Sequence, residues 1–340
     1  MDERTLADLG EDDLLALIIP VLRSYQTEHA GGRLVVPPGD DAAVSRVGPQ
    51  ADGCAAAPVE VVATTDAMVR DRDWRDAWSS GEDVGAKVVA QNLADVAAMG
   101  GRPTGLLVTL VADPATTVEW TLALSRGIGA AAAAHEVDVL GGDLSSGPSG
   151  VLMVSVTALG EMDGRAPVLR SGALVGDVVA VCGSLGLAGA GWALLEQGRP
   201  DADPEAVARQ RRPEPPLADG PSAARAGASA MLDISDGLLR DADRIGRASE
   251  VCLDLSETAL TPDVERLTPA VGRDLARECV LAGGEEHSLL ATFPDRDHIP
   301  AGFRVVGRVV AGRGVSLDGI RQKPRGWDHF GASPGTAQRT

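Results

Sequence analysis

The chain has 340 residues, 44% of them hydrophobic, and 49 acidic residues against 31 basic give a net charge of −18 at pH 7. That is enough apolar material for packed cores and enough length for two domains, while the acid surplus sets the mean field against nucleic acid and anionic membrane as partners. The only lysines are Lys87 and Lys323, neither directly after a glycine, which excludes a P-loop.

The N-terminal stretch MDERTLADLGEDD is acidic where a signal peptide would be basic, and no run of about 18 apolar residues could cross a bilayer. Residues 11–25, EDDLLALIIPVLRSY, read as an amphipathic helix interrupted or started at Pro20. PPGDDAAV at 37–44 reads as a turn into a short strand, and VEVVATTD at 59–66 as a strand with Thr64, Thr65 and Asp66 at its C-terminal tip. Residues 82–99 predict a long helix that carries acids in its first turn, ends before Gly100-Gly101, and sets Asn92 and Asp95 on one face.

A strand near 105–112, an Ala-rich helix over 116–134, a strand at 137–140, a turn GGDLSSG and a strand at 151–159 complete the first half. RSGALVGD at 170–177 reads as a connection into a second half, VVAVCGSLG, the helix LAGAGWALLEQG, a Pro-rich polar stretch, then a strand and helix around 230–248. This alternation predicts an α/β or α+β class, with domains at 1–165 and 166–340. The four cysteines, Cys54, Cys182, Cys252 and Cys279, form no CxxC, so the sequence predicts neither a zinc site nor a disulfide framework and a reducing, cytoplasmic setting.

The aspartates carry the most information. Asp40 and Asp41 sit in a Gly-Asp-Asp turn, Asp66 ends a strand, Asp95 lies on a helix face otherwise lined by Val84, Val88 and Met99, Asp143 follows Gly-Gly, and Asp233 and Asp236 bracket the junction LDISDGLL. Open α/β sheets present ligands at such strand ends. Several carboxylates share a cavity only when cations neutralise them, and oxygen ligands without His or Cys select Mg²⁺, which favours phosphate guests. The simpler alternative is that turns favour Asp and that Asp236 caps the helix starting at Leu238. GSLGLAG at 183–189 could cradle a phosphate or merely join strand to helix, and the lone His287 could reach a site but reads better as structural.

In order along the chain, PGDDAAV, VATTDAMV, NLADVAAMGGRP, GGDLSSG, RSGALVGD, LDISDGL, AGGEE and GWDHF resemble the thiamine-monophosphate kinase family of the aminoimidazole-ribonucleotide-synthetase-like ATP-binding superfamily, from about residue 38 to 330. The resemblance implies two α/β domains, the N-terminal one pairing across a homodimer into a β-barrel, with ATP held without a P-loop. It implies several Mg²⁺ ions on Asp41, Thr64, Thr65, Asp66, Asp95, Asp143, Asp233 and Asp236, with Asp66, Asp95, Asp143 and Asp233 carrying the chemistry. Gly142, Asp143, Arg170 and Ser235 would contact ATP, while Glu285 and Trp327 would contact thiamine monophosphate, the indole stacking on a cationic ring.

Two segments depart from the family pattern. Asp73 stands where relatives carry a substrate-contacting histidine, and GGEEHSL replaces GGEDYEL. The alternative reading is therefore an ATP-binding member of the superfamily with altered substrate or no catalysis.

Overall fold

The computed structural model describes residues 11–24, 34–47 and 59–328. The acidic segment 1–10, Cys54, and His329 and Phe330 of GWDHF lie outside the described residues. The first half runs α1 (Glu11–Ser24), β1 (Leu34–Val36), β2 (Ala43–Val47), β3 (Val59–Val69), α2 (Gly81–Ala98), β4 (Arg102–Ala112), α3 (Val118–Ala134), β5 (Asp138–Ser146) and β6 (Leu152–Glu161). The second contains β7 (Val178–Cys182), α4 (Leu187–Glu196), α5 (Pro204–Arg211), α6 (Asp219–Arg225), β8 (Ala230–Ile234) and α7 (Leu238–Ala248). It ends with β9 (Cys252–Leu255), α8 (Glu257–Val271), α9 (Arg273–Ala282), β10 (Ser288–Phe293), β11 (Phe303–Val310), β12 (Gly314–Leu317) and β13 (Ile320–Arg321).

These strands form one six-stranded sheet, ordered β1-β2-β3-β6-β4-β5, and one seven-stranded sheet, ordered β13-β12-β9-β11-β7-β10-β8. The class is mixed α/β, as expected. Among the described residues neither sheet closes on itself, and one copy does not form the barrel that the resemblance places across a dimer. No helix among the described residues is long and apolar enough to cross a membrane.

Helix α2 begins where the sequence dictates. Ser80 accepts from the Asp83 backbone N–H and Asp83 accepts from that of Ser80, closing a capping box that satisfies two otherwise orphaned donors. Thirteen of its eighteen residues are buried because it is covered on two sides. One face lies on β3 and β6, and the other meets α3 where glycines bring the backbones together: a Cβ on Gly127 would stand 2.2 Å from the Glu82 carbonyl oxygen.

Two expectations about strands need correction. The strand carrying Thr64, Thr65 and Asp66 continues to Val69, so these residues lie inside β3 rather than at its tip. GGDLSS is no turn but the body of β5, which pairs in parallel with β4. Gly-Gly there serves close approach, since a Cβ on Gly142 would stand 1.9 Å from the Val108 carbonyl oxygen.

The two halves share a small core in which Ala98 and Val168 pack with Ala180, Met231 and Phe293. Across the same boundary the Arg170 backbone N–H donates to the Asp40 carboxylate at 3.1 Å. Arg212 Nε meets Asp83 Oδ1 at 2.5 Å, joining the segment after α5 to the start of α2.

Candidate functional site

Strand β3 and helix α2 present the first group of ligating oxygens. The Asp66 backbone N–H donates to Asn92 Oδ1 at 3.0 Å, and Thr64 Oγ1 donates to Asp95 Oδ2 at 2.8 Å, so the shared face of Asn92 and Asp95 docks on the strand as the spacing predicts. Gln91 Nε2 reaches Asp66 Oδ2 at 3.3 Å. Thr65 instead points its hydroxyl at the Val156 carbonyl, 3.0 Å away, and is committed to the sheet.

Two further carboxylates approach from outside this strand and helix. Asp41, from the Gly-Asp-Asp turn, receives Arg170 Nη2 at 2.5 Å and Nε at 3.1 Å. Asp233, on β8, accepts or shares a proton with His287 Nδ1 at 2.9 Å, both groups being buried. Asp41, Asp66, Asp95 and Asp233 lie close enough to perturb one another. Burial first, then the charges of Asp66, Asp233 and Asp41, push the Asp95 carboxyl well above the usual carboxylate range, against the Thr64 hydrogen bond. Burial pushes Asp41 up to about 8, with Arg170 opposing and Asp233 and Asp40 adding. Burial disfavours a charged His287 ring, yet the bond to Asp233 and the charges of Asp233, Glu285 and Asp66 hold its pKa above the ordinary value.

Such a cluster is unfavourable without a cation. Asp41 Oδ2 is buried and has no hydrogen-bond partner, an acceptor left open among acidic neighbours. Carboxylate and hydroxyl oxygens with no thiolate fit a hard cation such as Mg²⁺. Among the described residues no three acidic, histidine or cysteine side chains converge tightly enough to cage an ion unaided.

The two remaining expected ligands are Asp236, in the same acidic neighbourhood as Asp233, and Asp143, which lies apart. Asp236 is ion-paired to Arg244 at 2.7 Å and lies 3.6 Å from Arg240. It does not cap α7 either: Gly237 precedes the helix, and Asp241 accepts from the backbone N–H groups of Asp236 and Gly237 at 3.0 Å each. Asp143 lies exposed on edge strand β5, where Ser145 Oγ donates to it at 2.9 Å. Register explains its isolation, since Asp66 faces Val156, Val156 faces Val108 and Val108 faces Gly142. Three strand spacings separate Gly142 from Asp66, roughly 14 Å, so one ion cannot touch both carboxylates in a single chain.

The GGEEH loop, 283–287, borders the cluster. Glu285 and His287 adopt φ of +64° and +54°, left-handed backbone that costs non-glycine residues energy and tends to be retained where function requires it. The Glu285 carboxylate meets Lys87 Nζ at 2.5 Å, Lys87 being 3% exposed and Glu285 30%. The Glu285 backbone N–H donates to the Ser235 carbonyl at 2.7 Å, so Ser235 positions the loop. Trp327 is half-buried, its backbone N–H on the Asp236 carbonyl at 2.9 Å.

The phosphate cradle considered at GSLGLAG is filled from within. Glu286 accepts from Ser184 Oγ at 2.5 Å and from the Ala188 backbone N–H at 3.0 Å, so its carboxylate occupies the N-terminus of α4. Asp73 likewise has a local task, accepting from the Val69 backbone N–H at 2.6 Å to close the turn after β3. Lys87, Gln91 and His287 are contacts that residue-type patterns did not assign. Only the Gly-Gly before His287 hinted at one of them.

Comparison with known proteins gives a consistent result. Residues 39–162 match the family model "AIR synthase related protein, N-terminal domain". Thiamine-monophosphate kinase of Mycobacterium tuberculosis H37Rv is 42% identical over 332 residues, covering 96% of this chain and 93% of that protein. The Corynebacterium glutamicum kinase is 36% identical over 348 residues, covering 97% and 96%. The structure of AaThiL complexed with AMPPCP and TMP superposes with a TM-score of 0.81 at 28% identity, covering 97% of this chain and all of that one.

Proposed function

The chain belongs to the thiamine-monophosphate kinase family, ATP-dependent phosphotransferases, and on that premise we propose how its own residues carry the reaction. The γ-phosphorus of ATP forms a bond to a phosphate oxygen of thiamine monophosphate as its bond to the β,γ-bridging oxygen breaks, giving thiamine diphosphate and ADP. The attacking phosphate is already largely ionised at neutral pH, so no general base is required. The work left is positioning and charge neutralisation.

Asp41, Asp66, Asp95 and Asp233, with Thr64, would hold Mg²⁺, and the buried, unpartnered Asp41 Oδ2 is the observation that carries this assignment. Bound Mg²⁺ would neutralise the transferred phosphoryl group. Asn92, Gln91 and His287 orient Asp66 and Asp233, and Lys87 fixes Glu285 on the acceptor side. Thr65 serves as a support in this reading, its hydroxyl being committed to the Val156 carbonyl, while Asp236, whose two ion pairs both use Oδ2, stays among the candidate Mg²⁺ ligands.

We also propose a homodimer. Among the described residues strand β5 has no neighbour on its outer edge, and Leu107, Val139, Leu140 and Leu144 around it are 43–71% exposed, a combination that calls for cover. A second copy against this face would allow the barrel that one chain lacks, and would let Gly142 and Asp143 meet the polyphosphate of a bound nucleotide from the opposite wall. Arg170, which stands against Asp41, would be a further nucleotide contact together with Ser235. We take 1–165 and 166–340 as its two domains, and the buried free thiols of Cys182, Cys252 and Cys279 suit a reducing cytoplasm.

Asp73 and Glu286, the departures that favoured a non-catalytic or altered-substrate protein, both perform local structural tasks, which supports the catalytic reading. Purified protein given Mg·ATP and thiamine monophosphate should form ADP and thiamine diphosphate in equal amounts. ADP without thiamine diphosphate, or no product, contradicts the proposal.

A further inference from the structure

Residues 169–173 follow the boundary between the two halves, and hydrogen bonds anchor their backbone on several sides. The Leu169 carbonyl accepts from the Met231 N–H of β8 at 3.0 Å, and the Arg170 N–H donates to Asp40. The next three groups converge on one side chain. Ser249 Oγ donates to the Arg170 carbonyl at 3.0 Å and accepts from the Gly172 and Ala173 N–H groups at 3.1 and 3.2 Å. A hydroxyl has one proton and two lone pairs, so these contacts use its full capacity. The turn also has no room to shift toward β8. Gly172 has φ of +141°, and a Cβ there would stand 2.2 Å from the Ser229 carbonyl oxygen.

We propose that Ser249 is a positioning residue for nucleotide binding, its hydroxyl fixing the 170–173 turn so that the Arg170 guanidinium meets the ATP phosphates. The inference rests on Arg170 contacting the nucleotide, as proposed for the site. A guanidinium binds phosphate through a planar fork of parallel hydrogen bonds, which tolerates little misplacement. Its aim therefore depends on where its own backbone is held.

Ser249 is suited to this because it ends a helix that is itself fixed. Leu238, Leu239, Ala242 and Ile245 bury one face of α7 in the second core, and a Cβ on Gly246 would stand 2.3 Å from the Gly314 carbonyl oxygen beside β12. The Ser249 N–H donates to the Ile245 carbonyl at 2.9 Å, so the hydroxyl is aimed by the helix before any ligand arrives. At the opposite end, Asp241 accepts from the Asp236 and Gly237 N–H groups. One rigid element thus sets the spacing between the acidic junction at 233–237 and the turn that carries Arg170.

A double-mutant cycle tests the proposal, with Kd for Mg·ATP read by calorimetry and KM for thiamine monophosphate by turnover. Ser249→Ala should weaken Mg·ATP binding about tenfold, since a shift of about 1 Å in the guanidinium is enough, and should leave KM for thiamine monophosphate within about twofold. Ser249→Thr keeps the hydroxyl and should recover most of the loss. Arg170→Met should weaken Mg·ATP binding by itself, and adding Ser249→Ala to it should change nothing further, because Ser249 acts through Arg170. Structural damage alone would lower the binding stoichiometry and leave Kd of the folded fraction unchanged. An unchanged Kd in Ser249→Ala overturns the proposal, and so does an equal effect with and without Arg170. If Ser249→Ala fails to fold, Ser249→Cys takes its place in the same cycle, its thiol being a weaker donor and acceptor, with an expected loss of about threefold. Normal Mg·ATP binding by Arg170→Met refutes the assignment of Arg170 to the nucleotide and this inference with it. Weakened binding by Arg170→Met beside an inert Ser249→Ala refutes this inference only.

Discussion

Replacing Asp95 with Asn isolates the electrostatic cost of the aspartate cluster. The Asn side chain keeps the shape and can still accept the Thr64 hydroxyl, but it remains neutral at every pH. Asp95 in the folded protein keeps its proton well above the usual carboxylate range, mainly through burial and secondly through Asp66, Asp233 and Asp41. In the unfolded chain it ionises normally. Its contribution to stability is therefore fully present below pH 4 and is lost as pH rises toward its own raised pKa, at about 1.36 kcal/mol per pH unit. For a protein of this size that amounts to roughly 2 °C in Tm for each pH unit. Thermal unfolding in EDTA from pH 5 to 8 should show Asp95→Asn gaining on the unaltered protein as pH rises. Adding Mg²⁺ should reverse the order, because binding stabilises only the chain that retains the full ligand set. Parallel Tm curves in EDTA, or a variant less stable than the unaltered protein at pH 8, would refute the reasoning.

The other predictions concern neighbouring contacts. Gly127→Ala places a methyl 2.2 Å from the Glu82 carbonyl, so α2 and α3 must separate, and denaturant titration should record a loss of about 1–3 kcal/mol. Lys87→Met removes the partner of Glu285 from a nearly buried site. It should raise KM for thiamine monophosphate more than KM for ATP and cost about 1–3 kcal/mol, read by steady-state kinetics and unfolding. Glu286→Ala uncaps α4, with an expected loss of about 0.5–2 kcal/mol, whereas Glu286→Gln should retain most of the stability because its amide oxygen can still accept from Ala188.

The sequence made some of this architecture legible and hid the rest for physical reasons. The acids of the first turn and Gly100-Gly101 past the end announce α2, and the three-residue spacing of Asn92 and Asp95 predicts their common docking on β3, because local rules decide both. Gly141-Gly142 misled because glycine serves turns and close strand contacts equally well, and only the approach of Val108 separates the two. Pairings across long separations were invisible. Asp233 with His287 and Lys87 with Glu285 meet only once both sheets are in place. Asp143 belongs to the same class: its motif is evident, yet its place at the free edge of β5 emerges only from the strand order.

The aspartates are expected to bind phosphate only through a metal. Calorimetric titration of ATP into the protein, first with saturating Mg²⁺ and then in EDTA, tests it directly. Affinity should fall at least a hundredfold on removing the metal, about 2.7 kcal/mol or more. ATP binding of equal strength in EDTA would contradict it.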